Sequence, residues 1–225
     1  MENPPLASLS LTHVSYNPDD HVSRLCAFLA LVPQALVITY VALIWSTREI
    51  EILSMFAGQM ASEVLNWLLK RFFKEARPSQ MHGRGYGMPS SHAQFVSFFS
   101  AFLTLFLLLR HTPHPPGHPY ASRTHDPLHF YQRVILSVAS FFCAAGVAQS
   151  RIYLNYHNPR QVYVGFAAGV LCAVGWFIIT EWARKAGWVD WILNLKVARL
   201  MRLRDLVVHE DLVDAGYERF ELRRR

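Results

Sequence analysis

The chain of 225 residues is 52% hydrophobic and only 17% charged, a balance too apolar for an ordinary soluble domain of this length. Its formal net charge of +6 fits an anionic membrane surface or an anionic substrate, and the apolar runs set out below argue against nucleic acid as a partner. The three cysteines, Cys26, Cys143 and Cys172, sit inside apolar segments without metal-ligand or disulfide spacing and read as small core side chains.

In chain order, residues 1–25 form an N-terminal segment with no basic region leading into a short apolar core. This argues against a cleaved signal peptide and leaves the first membrane helix as the signal. Five segments then approach the ~20 apolar residues that a bilayer core requires. They run from about Cys26 to Trp45, Ile50 to Leu69, Ser90 to Leu109, Val134 to Gln149 and Val162 to Thr180. The fold class is therefore an all-α, polytopic transmembrane helical bundle of about five spans, with residues 26–182 as its membrane domain. The second span contains Glu63 and Asn66 and the fourth is rich in Ala and Ser, so both are expected to face protein and not lipid. Between the third and fourth, the His- and Pro-rich stretch 111–129 has no regular ligand spacing and reads as a solvated loop, not a metal site. Residues 183–225 follow as a basic amphipathic tail, with Trp188 and Trp191 ahead of Lys196, Arg199, Arg202 and Arg204.

With five spans, Lys70 to His92 and Ser150 to Gln161 fall on one side of the membrane. Arg48, Arg110, Arg123, Arg133 and the basic tail fall on the other, which the positive-inside rule makes cytoplasmic. The first side, with the N-terminal segment, is thus expected to be lumenal or exterior.

Three short elements on that first side carry chemistry. Lys70 and Arg77 lie seven residues apart, within a turn of one face if the helix continues between them. Pro89, Ser90, Ser91 and His92 directly precede an apolar run. Ser is a good cap there, and the free amides of a helix N-terminus with two hydroxyls also make an anion site. Arg151 offers a planar fork of donors, and His157, six residues on, offers a nucleophile or base. Together they supply three cations, a helix N-terminus and two imidazoles, the set that phosphoryl transfer without a metal needs. These residues leave open which histidine attacks. Glu63 lies seven residues before Lys70, on roughly its face, and is expected to line or brace the site.

Read in order, Lys70 to Arg77-Pro78, then Pro89-Ser90-Ser91-His92, then Ser150-Arg151 to His157, resemble the signature of the PAP2 (type 2 phosphatidic acid phosphatase) superfamily. The departures are Ser91 for the family's Gly and Gln161 for its final Asp. The Ser-Ser-His wording, the stretch SRIYLNYH and Gln161 further resemble the branch that hydrolyses dolichyl diphosphate at the endoplasmic reticulum, recycling the carrier released by N-glycosylation.

The resemblance implies that His157 is the nucleophile, forming a phosphohistidine, and that His92 is the general acid. Lys70, Arg77, Ser90, Ser91 and Arg151 would bind the phosphoryl oxygens, Gln161 would support His157, and neither cofactor nor metal is expected. The partner it implies is a membrane-embedded isoprenoid diphosphate. A phosphatase of another lipid phosphate and a noncatalytic lipid-phosphate binder are the competing readings, and retention of both histidines speaks against the second.

Overall fold

A computed structural model describes residues 7–9, 14–78, 85–114, 127–211 and 224. Most of the His- and Pro-rich stretch, the end of the tail and much of the N-terminal segment therefore lie outside the described residues. Among the described residues a short antiparallel hairpin, β1 (Ala7–Leu9) and β2 (Val14–Tyr16), precedes eight helices. These are α1 (His21–Leu29), α2 (Val32–Thr47), α3 (Ile50–Phe73), α4 (Ser91–Leu105), α5 (Phe130–Tyr153), α6 (Pro159–Lys185), α7 (Trp188–Asn194) and α8 (Lys196–Leu200). A π-helical turn, Phe106–Arg110, extends α4.

Among the described residues four helical stretches are long and apolar enough to cross a membrane: α1 with α2, α4 with its π turn, α5 and α6. The second expected span, α3, has 24 residues, enough for about 36 Å. Gln59, Glu63 and Asn66 make it less apolar than the others. It nevertheless runs the height of α4, with Glu51 near its start paired to Arg110 at the far end of α4 and Lys70 near its end bonded to Ser91 at the near end.

Gln59, Ser62 and Asn66 are spent against α4 and not against lipid. Asn66 Nδ2 donates to Gln94 Oε1 at 2.7 Å, Gln94 Nε2 donates to the Ser62 carbonyl at 2.7 Å, and Gln59 Nε2 donates to the Phe95 carbonyl at 3.3 Å. In an apolar medium these groups have no water to bond, which is why they pair across helices.

The first span starts earlier than its apolar run suggests and breaks at Ala30–Leu31, with Pro33 in the first turn of α2. The centre of the bundle is α4, packed between α5 and α6. Gly169 of α6 lies so close to Gln94 and Ser97 of α4 that a Cβ would collide with them. A Cβ on Gly165 would fall 2.6 Å from the Ser90 carbonyl oxygen. Small residues at these two positions let α6 lie directly against the N-terminus of α4.

Trp182 near the end of α6, Trp188 and Trp191 of α7, and Val197 and Leu200 of α8 are exposed, which suits a segment lying in the membrane interface. The chain then returns to the bundle. Val207 and Val208 are buried, the Glu49 carboxylate accepts from the Leu206 and Val207 amides, and Arg204 pairs with Glu49 at 2.7 Å. Burial of Glu49 raises its pKa, opposed by those two amides and by Arg204. His111, expected in a solvated loop, is instead buried and bonded through Nδ1 to the Val207 carbonyl at 2.8 Å.

Candidate active site

The site lies at the end of the bundle where α3 finishes, α4 begins and α5 turns into α6. α3 does not continue to Arg77 as a helix. It stops at Phe73, and Lys74 adopts a left-handed conformation (φ 50°) that turns the chain back. Pro78 restricts Arg77 away from helical backbone, so the helix could not run on through Arg77. Lys70 is therefore held by α3, with its Nζ 3.4 Å from Ser91 Oγ, and Arg77 lies on the non-helical segment that follows.

Ser90 is the first residue before α4, but its hydroxyl caps nothing. It is fully buried with no hydrogen-bond partner among the described residues, while the Ser90 amide donates to the Gln161 carbonyl at 3.1 Å. The capping chemistry suggested by the sequence is thus not formed, and a buried donor stands unused beside the free amides of the α4 N-terminus. His92 faces the break in the first span, where its Nε2 lies 3.1 Å from the Ala30 carbonyl oxygen. A carbonyl only accepts, so Nε2 carries the proton.

Arg151, in the last turn of α5, is 3% exposed; its Nε and one terminal nitrogen have no hydrogen-bond partner. The guanidinium carbon sits 4.3 Å from the centre of the Tyr156 ring. Tyr156 is held in turn by the Ser15 amide of β2, which donates to its hydroxyl at 2.8 Å. The N-terminal hairpin therefore braces the surface on which Arg151 lies, a support that no short motif signals.

His157 is 3% exposed and its orientation is fixed by Gln161. Asn158 and Gln161 form a capping box at the start of α6, and the spacing Asn-x-x-Gln is visible in the sequence. Gln161 Nε2 donates to Glu75 Oε1 at 2.9 Å and to the Ala76 carbonyl at 2.9 Å. Its Oε1 accepts from the Asn158 amide at 3.3 Å and lies 3.1 Å from His157 Nδ1. Because Oε1 can only accept, Nδ1 carries the imidazole proton and Nε2 presents a free lone pair.

Burial, then the charge of Arg77, and further Arg151 and Lys70, draw the His157 pKa down to about 4, against the upward pull of the Gln161 hydrogen bond. All three motif cations thus act on one neutral imidazole. Burial also lowers Arg77 below the ordinary guanidinium range, with Tyr156 opposing.

The structure brings together Lys70, Arg77, Ser90, Ser91, His92, Arg151, His157 and Gln161. Glu63 makes no hydrogen bond or ion pair to this set among the described residues, and one of its carboxylate oxygens is buried without a hydrogen-bond partner, but it lies within electrostatic reach of Lys70. Glu75 and Gly87 are additions. A Cβ on Gly87 would lie 2.8 Å from the Gln161 amide, and the Gly87 amide donates to the Glu75 carbonyl at 2.7 Å. Only at a glycine can this loop close over the amide of Gln161.

The pattern of the PAP2 superfamily matches residues 51–185, which include every residue of this set. A Neurospora crassa protein provisionally named dolichyldiphosphatase is 48% identical over 98% of this chain and 93% of its own length. Dolichyldiphosphatase 1 of Dictyostelium discoideum is 34% identical over 94% of this chain and 88% of its own, and dolichyldiphosphatase of Saccharomyces cerevisiae is 31% identical over 90% and 82%. No solved structure matches the chain. The convergence of the three elements on one buried imidazole and the family match over residues 51–185 agree, and the chain belongs to the PAP2 superfamily.

Proposed function

We propose that this chain is a membrane hydrolase that removes the terminal phosphate of dolichyl diphosphate, giving dolichyl phosphate and inorganic phosphate. The observation that carries this reading is the neutral, oriented His157, with Nε2 free and Lys70, Arg77 and Arg151 arranged around it. The names of the relatives supply the lipid.

In the reaction, His157 Nε2 attacks the terminal phosphorus while the bond to the bridging oxygen breaks. The electron pair leaves with the lipid monophosphate, to which His92, entering the step as the imidazolium, gives its Nδ1 proton while Nε2–H stays on the Ala30 carbonyl. Water, relieved of its proton by His92, then attacks the phosphohistidine and releases phosphate. Lys70, Arg77, Arg151, the Ser90 and Ser91 hydroxyls and the amides at the start of α4 hold the oxygens whose charge grows in the transition state.

Gln161 stands where the superfamily has Asp, so less negative charge reaches the developing imidazolium. A diphosphate tolerates this, because its leaving group is a phosphate monoester whose second pKa is about 6, whereas a monophosphate expels a far more basic alkoxide. Purified protein is expected to release phosphate from dolichyl diphosphate much faster than from dolichyl phosphate or phosphatidate, and to do so in EDTA, since the cations above already neutralise the group. Equal rates on the first two lipids, or activity lost in EDTA and restored by metal, would overturn this reading.

We place the protein in the endoplasmic reticulum membrane with this site facing the lumen and residues 183–225 in the cytoplasm. The distribution of Arg48, Arg110, Arg133 and the tail supports that orientation. In sealed microsomes carrying a cysteine-free background, Lys74→Cys should be labelled only after permeabilisation and Arg202→Cys without it. The reverse pattern would invert the topology.

A further inference from the structure

The amide that orients His157 does not act alone. Gln161 is fully buried and uses its whole hydrogen-bonding capacity: Oε1 toward the Asn158 amide and His157 Nδ1, and both Nε2 hydrogens toward Glu75 Oε1 and the Ala76 carbonyl. A carboxylate, an amide and an imidazole are therefore joined in one line. Glu75 lies between Lys70 and Arg77 in sequence; among the described residues it forms no ion pair, and its carboxylate accepts from Gln161.

We infer that Glu75 is a positioning residue that returns, through the Gln161 amide, part of the negative charge which the residue at 161 itself lacks. The inference rests on the reading of His157 as nucleophile. When Nε2 bonds to phosphorus, the imidazole becomes a cation still carrying its proton on Nδ1. Gln161 Oε1 stabilises that proton, and it does so better when Nε2 of the same amide donates to a carboxylate, because the two bonds polarise the amide in the same sense.

The arrangement also explains why an amide stands here. The far side of residue 161 meets two acceptors, Glu75 Oε1 and the Ala76 carbonyl, so the side chain must present a donor to them. An aspartate would set a second carboxylate against both.

The test is a charge transposition. Glu75→Gln keeps shape, and its amide oxygen can still accept from Gln161, so the loop is retained while the charge is lost. Its kcat for dolichyl diphosphate should fall about tenfold or more, as loss of an outer partner of an oriented imidazole does, with KM and affinity for inorganic phosphate unchanged. Gln161→Asp alone should also lose activity, through repulsion with Glu75. The double variant Glu75→Gln with Gln161→Asp moves the charge next to the imidazole and should exceed both single variants in kcat.

An unchanged kcat in Glu75→Gln, or losses that multiply in the double variant as two independent structural defects would, overturns the relay. Absence of phosphate on His157 in the wild type quenched without acid would instead overturn the nucleophile assignment beneath it.

Discussion

His157→Ala is expected to lose at least about ten-thousandfold in turnover, the scale on which covalent catalysis fails when its nucleophile is removed. The fold should persist. Only the contact to Gln161 Oε1 is lost, and that oxygen keeps the Asn158 amide, while Glu75 and Ala76 still hold the other side of the amide. Lys70, Arg77 and Arg151 remain, so the variant should still bind inorganic phosphate, measured by titration in detergent.

The low pKa of His157 adds a pH test of the same role. An ordinary imidazole takes a proton at 6.5, whereas burial and Arg77 hold this one near 4. The free enzyme therefore keeps its Nε2 lone pair as pH falls through 6.5 and loses it only near 4. A kcat/KM that, after correction for substrate ionisation, collapses at the ordinary imidazole value would contradict that environment.

Arg110→Ala should give the largest loss of stability, about 3 kcal/mol or more, because it leaves a buried carboxylate short of a partner. Arg110 is 4% exposed and binds Glu51 at 2.5 Å, Glu181 at 3.1 Å, the Phe177 carbonyl at 3.1 Å and Thr180 Oγ1 at 2.9 Å. Through these it ties the far end of α4 to α3 and α6. Glu51 keeps Arg184 at 2.7 Å, which in turn holds Asp205 of the returning tail, so the cluster is weakened and not abolished. Thermal unfolding in detergent should shift down by several degrees, with kcat at low temperature unaltered because the active site lies at the opposite end. An unchanged melting temperature would show that the cluster is neutral to stability.

Much of this was readable before any coordinates. Apolar length pointed to the spans, and the motif residues from Lys70 to His157, expected to bind and transfer phosphate, lie together at one end of the bundle. What could not be read depends on contacts between distant positions. Glu75 meets Gln161 across 86 residues, and nothing in its neighbours marks it off from an exposed charge. The tail from Arg204 onward looks merely basic and amphipathic, yet Val207 and Val208 are buried because Glu49 and His111 bind the backbone around them. Ser90 shows the opposite failure: a good cap by residue type, it leaves its hydroxyl unused because its amide is drawn to the Gln161 carbonyl. The break in the first span, which sets the Ala30 carbonyl against His92, is announced only by Pro33 within an otherwise apolar run.

The central claim is that His157 takes the phosphoryl group from a lipid diphosphate. Rapid acid-free quenching of the wild type with dolichyl diphosphate labelled at its terminal phosphorus, followed by peptide mapping, tests it most directly. The account predicts label on His157, formed within a turnover and absent in His157→Ala. Label on His92, or full turnover with no label on either histidine, would contradict it.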